Sequence, residues 1–132
     1  MKISLTWNKG LQFYGQDESG HGVVVDTTKD DGGFDEGISP LRLLLIALAG
    51  CMAMDIVSIV QKKSGKITRF AMELEGVRVE EHPKRFSRII NNIKCEGDYK
   101  REDLLRAYEL SRDKYCSVLA TVKNPPEFVF NI

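Results

Sequence analysis

Residues Leu43–Val60 are the strongest constraint in this chain: eighteen residues, almost wholly apolar, interrupted only by Gly50, Asp55 and Ser58. A run of that length sits at the lower edge of what crosses a bilayer. A carboxylate inside it and the lack of flanking aromatic belts argue instead for a helix buried on nearly all sides, not a membrane span. A chain of 132 residues has room for one domain and one core. It can hardly surround such a helix alone, so a second subunit is expected to help cover it.

The helix has clear ends. Ser39-Pro40 is a strong start, with Ser39 able to cap free N–H groups and Pro40 losing only an N–H that would be unpaired anyway. Lys62, Lys63 and Gly65 mark the stop near Lys63. Before it, Ile3, Leu5 and Trp7 alternate with polar residues, Leu11–Gln16 follows a Lys9-Gly10 turn, and Val23-Val24-Val25 follows a Gly-rich turn. This reads as a three-stranded meander. Residues 30–37 are a polar, Gly-rich loop. After the helix, Phe70, Met72 and Leu74 alternate, the phase slips at Gly76 as at a β-bulge, and Val77 and Val79 continue. A turn at His82-Pro83-Lys84-Arg85 leads to a return strand with Ile89, Ile93 and Cys95 in one phase. Residues 101–112 form a helix with Leu104, Leu105, Tyr108 and Leu110 as its apolar stripe. Cys116–Val122 is a short helical turn, and Glu127–Ile132 closes as a strand. The order β-β-β-α-β-β-α-β, joined mostly by hairpins, is an α+β domain over residues 1–132 rather than a doubly wound parallel sheet.

Nineteen basic side chains balance nineteen acidic ones, which removes the electrostatic basis for nucleic-acid or anionic-membrane binding. The first residues carry neither a long apolar core nor a small-residue cleavage site, so the expected location is the cytoplasm. Three widely spaced cysteines, Cys51, Cys95 and Cys116, make a poor disulfide framework. With only His21 and His82 beside them and no CxxC spacing, no metal site is expected. Gly32-Gly33 lacks phosphate-binding spacing, so no nucleotide cofactor is expected either. Ser39, His21 and Asp55 make a triad on paper only, since Ser39 is better explained as a cap.

The cysteines are the candidates for chemistry. Cys51 read alone is a packed core thiol. Against that, Gly50 costs about 1 kcal/mol of helix propensity, as if something approached closely there. Asp55, one turn on, shares the face of Cys51 and must be paired or solvated. A reactive Cys51 would need a cation nearby. Cys116 stands where a helical turn begins, a position whose local field activates thiols, with a packed thiol as the other reading. Cys95, in the inward phase of a strand, reads as core.

The segments Ser39–Cys51 with Asp55-Ile56-Val57, and Glu109-Leu110-Ser111 with Tyr115-Cys116-Ser117-Val118, resemble the two cysteine motifs of the OsmC/Ohr family. Cysteine order and strand pattern agree along the whole chain. The resemblance implies an intertwined homodimer with the central helices packed together, and a thiol peroxidase for organic hydroperoxides that needs no cofactor. Cys51 would be the peroxidatic residue, Cys116 its disulfide partner, and a dithiol the reductant. The family's activating arginine–glutamate pair has no counterpart: no arginine precedes Arg42, and Leu41 and Arg42 stand where the glutamate would be. Arg42 is then the candidate cation, reaching a thiol across a dimer interface, since nine residues place it roughly opposite its own Cys51. The alternative is a binding module of the same fold that holds a small apolar ligand.

Overall fold

The computed structural model describes residues 1–132. It forms two compact units, Met1–Leu44 and Leu45–Ile132. Strands β1 (Ile3–Lys9), β2 (Gln12–Asp17) and β3 (Gly22–Val25) make the expected antiparallel meander in the order β1-β2-β3. Helix α1 runs over Pro40–Lys62, and strands β4 (Lys66–Arg78) and β5 (Phe86–Asp98) form a long antiparallel hairpin. Helix α2 (Arg101–Leu110) passes through a π turn, Ser111–Tyr115, to helix α3 (Ser117–Lys123).

In the first unit the meander is tied to the following loop by one buried carboxylate. Asp26, 2% exposed, accepts the backbone N–H groups of Thr27, Phe34 and Glu36 and the Gln12 amide, at 2.8–3.2 Å. Gln12 is itself held by Asn8 and donates to Glu36 at 2.9 Å. Burial alone would push the Asp26 carboxyl up; the hydrogen bonds from Glu36, Gln12, Thr27 and Phe34 outweigh it and bring the pKa down to about 2. The folded pKa is depressed, so this stabilisation is complete above the ordinary value of 3.8 and is lost as pH falls through about 2. Asp26→Asn turns one of its two acceptor oxygens into a donor facing N–H groups. It is expected to lower the melting temperature by about 5 °C or more at neutral pH and to flatten the loss of stability between pH 4 and pH 2. Urea titrations of both proteins across that range test this.

In the second unit α1 buries a single stripe. Leu48, Met52, Ile56 and Val60 recur every fourth residue and join Ala107 and Cys116 as the buried core, against Phe70, Met72, Leu74, Ile89 and Ile93 of the hairpin. Ile56 and Val60 are fully buried, worth about 1.5–3 kcal/mol each. The rest of the helix is apolar too, yet Ile46 is 55% and Met54 76% exposed. Over its most apolar eighteen residues the mean hydropathy is 2.5, which by length and composition would suit a membrane span, and only 22% of that window is buried within the chain. The helix is thus not enclosed by its own chain.

The helix stops on a Schellman turn: Ser64 N–H donates to Gln61 and Gly65 N–H to Val60, both at 3.0 Å. The left-handed position, φ 66°, belongs to Ser64 and not to Gly65. Ser64→Gly is therefore expected to stabilise the fold by about 0.5–1 kcal/mol, read from the denaturant midpoint.

Four local expectations are corrected. The ladder is regular at Gly76, which pairs with Ile89; its irregularities lie between Ile67 and Arg69 and between Val77 and Arg78. Gly76 is small because the Phe86 ring lies against it, 2.2 Å from where a Cβ would stand. On α2, Leu105 is 53% exposed while Ala107 is fully buried; the inward stripe is Leu104, Ala107, Tyr108 and Ser111. The second helix ends at Leu110, and the chain widens into the π turn. Residues 127–132 form no strand, and Phe128, Val129, Phe130 and Ile132 stand exposed. A strand exists only through a ladder partner, and this chain supplies none to that segment.

Candidate functional site

Cys51 and Cys116 are 65 residues apart in sequence, and the second unit brings them together. Cys51, half-buried on α1, packs against the core cluster that contains Cys116. The Cys116 side chain caps α3, its sulfur accepting the Leu119 N–H at 3.4 Å. The activating field expected at this helix start does not prevail. Burial pushes the Cys116 thiol above its ordinary value, the Leu119 N–H opposes it, and the adjacent Cys51 side chain raises it further. Both cysteines are free thiols.

Asp55 has the polar partner its position demanded. The Ser111 hydroxyl donates to its carboxylate at 2.8 Å, and Ser111 is fully buried. Its role was not read from the sequence, although a half-buried carboxylate calls for a hydroxyl or amide, and Ser111 lies just ahead of Cys116. The turn begun by Ser111 is closed by a bond from the Cys116 N–H to the Ser111 carbonyl at 2.9 Å. A cavity of about 440 Å³ beside this pair is lined by Asp55, Ser58, Ile59, Lys62, Leu110 and Tyr115. Lys63 at the end of α1 pairs with Asp103 of α2 at 2.7 Å.

Arg42 is exposed and pairs with no acidic side chain. Cys95 is half-buried on β5, opposite Phe70, and its carbonyl accepts the Tyr99 hydroxyl at 2.7 Å. No segment of the chain approaches Gly50: a Cβ there would meet nothing within 4 Å. It borders an open groove of about 400 Å³ with Ile46, Ala49, Ala53, Phe70 and Met72. No group of three or more His, Cys, Asp or Glu side chains is placed to hold a metal ion.

A three-stranded meander, a long apolar helix and a two-stranded hairpin define an α+β protein, with Cys51 packed against the core cluster that holds Cys116. Residues 33–131 match the OsmC-like protein family, and the chain belongs to it. It is 36% identical over 119 residues to protein YhfA of Escherichia coli K12, covering 89% of this chain and 86% of that protein. Among solved structures it is similar to a hypothetical protein from Aquifex aeolicus, with a TM-score of 0.82 and 29% identity over 94% of this chain and 87% of the other. An organic hydroperoxide resistance protein OsmC from Legionella pneumophila shares the fold at a TM-score of 0.68 and 12% identity, covering 93% and 88% of the two chains.

Proposed function

We propose that this chain is a cysteine-dependent peroxidase for organic hydroperoxides, working in the cytoplasm as a homodimer of single domains over residues 1–132. The observation that carries the reading is the meeting of Cys51 and Cys116 in one core cluster. The Cys51 thiolate attacks one oxygen of the O–O bond. Cys51 becomes a sulfenic acid, and the alkoxide leaves and takes a proton to give the alcohol. Cys116 then displaces the sulfenic oxygen as water, forming the Cys51–Cys116 disulfide. Two electrons have passed to the peroxide, and a dithiol returns them by thiol–disulfide exchange. The groove at Ile46, Ala49, Ala53, Phe70 and Met72 suits the alkyl part of the substrate. The Legionella protein of the same fold carries hydroperoxide resistance in its name, which supports the choice of substrate class. Arg42 is the candidate cation for Cys51, supplied by the partner subunit.

The test is a thiol count before and after a small excess of cumene hydroperoxide. Two of the three thiols per chain are expected to disappear, with Cys51 and Cys116 recovered as one disulfide-linked peptide pair and Cys95 still free. Three persisting thiols would sink the peroxidase.

The second reading, a binding module for a small apolar ligand, draws on the same groove and on the lack of any family-type arginine before Arg42. It requires that Cys51→Ser leave ligand affinity unchanged and that no peroxide be consumed.

A further inference from the structure

The path from α1 to the second cysteine runs through one side-chain bond. Asp55 lies four residues beyond Cys51, on the same face of α1. It takes the hydroxyl of Ser111 at 2.8 Å. The carbonyl of that same serine takes the N–H of Cys116 at 2.9 Å. Between them lies a π turn, Ser111–Tyr115. Such turns are rare, occur singly and gather at functional sites, and a widened turn needs something to hold it in place. The other side-chain bonds of this turn, between Arg112 and Asp113, lie at the surface. Ser111–Asp55 alone reaches inward, and its serine is fully buried.

We propose that Asp55 and Ser111 are a positioning pair that sets the Cys116 sulfur against Cys51, and so sets how readily the two thiols close into a disulfide. This rests on the reading of the two cysteines as a redox pair, and it assigns that pair its alignment device. Neither residue touches substrate; each acts through the backbone of the turn.

The test uses the full chain in a glutathione buffer, with no peroxide. Closure of the Cys51 and Cys116 thiols there consumes one oxidised glutathione and releases two reduced ones, so two electrons and two protons pass to glutathione. After acid quench and alkylation, the disulfide is counted by mass spectrometry and expressed as an effective concentration. Asp55→Ala and Ser111→Ala are each expected to lower it about tenfold or more. The double variant should fall no further than the singles, because the pair acts as one unit. Asp55→Asn keeps an acceptor oxygen but loses the charge, so it should lie between parent and alanine, about two- to fivefold down. Hydrogen exchange at the Cys116 N–H should quicken in the same order.

Folded alanine variants with the parent's effective concentration would overturn the pair, and so would single effects that simply multiply in the double variant. If the alanine variants do not fold, Asp55→Asn decides: a lower effective concentration with faster Cys116 exchange supports the pair, and parent values for both overturn it. A parent chain that closes the disulfide in glutathione but ignores hydroperoxide keeps the positioning pair and loses the peroxidase. A parent chain that never closes it overturns both.

Discussion

Cys51→Ser is expected to abolish the consumption of cumene hydroperoxide, a fall of roughly a thousandfold or more, because the hydroxyl that replaces the thiol does not ionise near neutral pH and is no nucleophile toward an O–O bond. Cys116→Ser should behave differently. Its Cys51 still reacts once, so one equivalent of peroxide is consumed and a sulfenic acid accumulates, trappable with a dimedone reagent. Turnover then stops, because no thiol is left to condense with it. The pH dependence separates the two steps further. Burial holds the Cys116 thiol above its ordinary pKa, so little of it is thiolate at neutrality. Below that pKa, each unit rise in pH multiplies the thiolate about tenfold. Disulfide closure should therefore still be accelerating between pH 7 and pH 9, read by stopped-flow after a single-equivalent pulse of peroxide. A closure rate independent of pH over that interval would count against Cys116 as the attacking group.

The second large effect concerns α1. Gly50 sits in the middle of a helix, where glycine is costly, and no part of its own chain explains it: a side chain there would point into open space. Around it, Ile46 and Met54 are exposed to 55% and 76%. The homodimer proposed above would lay a second copy along this face, where small residues let two helices approach closely. Gly50→Leu should accordingly leave the chain folded, with unchanged or slightly higher helix content. It should weaken self-association by about a hundredfold or more, through several kcal/mol of overpacking. Sedimentation equilibrium over a concentration series reads this directly. A variant that stays as tightly paired as the parent would mean that the two copies meet elsewhere.

Much of the architecture could be read from the residues because it rests on local signals. Pro40 and the Lys62-Lys63 end bound a long, mostly apolar run, and the helix observed is Pro40–Lys62. The alternation of Phe70, Met72 and Leu74 with glutamates and alanine is the hairpin strand as it stands. What escaped depends on what lies opposite. Leu105 outranks Ala107 on any hydrophobicity scale, yet it is Ala107 that faces the core and Leu105 that stands in solvent. Gly76 mimics a bulge by breaking the pattern, when its cause is an aromatic ring ten residues away in the facing strand. The alternation in Glu127–Ile132 is strand-like, but no scale reports whether a ladder partner exists. At the site, the sequence offers both cysteines and Asp55's need for a partner. It offers no sign of the π turn, because one extra residue in a turn leaves composition and periodicity almost unchanged.

The bare segment after Pro125-Pro126 also bears on how the protein is handled. Phe128-Val129-Phe130 is a short, uncharged, β-prone run standing in solvent, the kind of stretch that nucleates cross-β stacking between chains. The two prolines bar such a stack from spreading back into α3. They do nothing to stop it forming. On heating, precipitation should therefore compete with unfolding, and the apparent midpoint should drift with scan rate and protein concentration. For this chain a half-life at a stated temperature is the better measure of durability than a melting point.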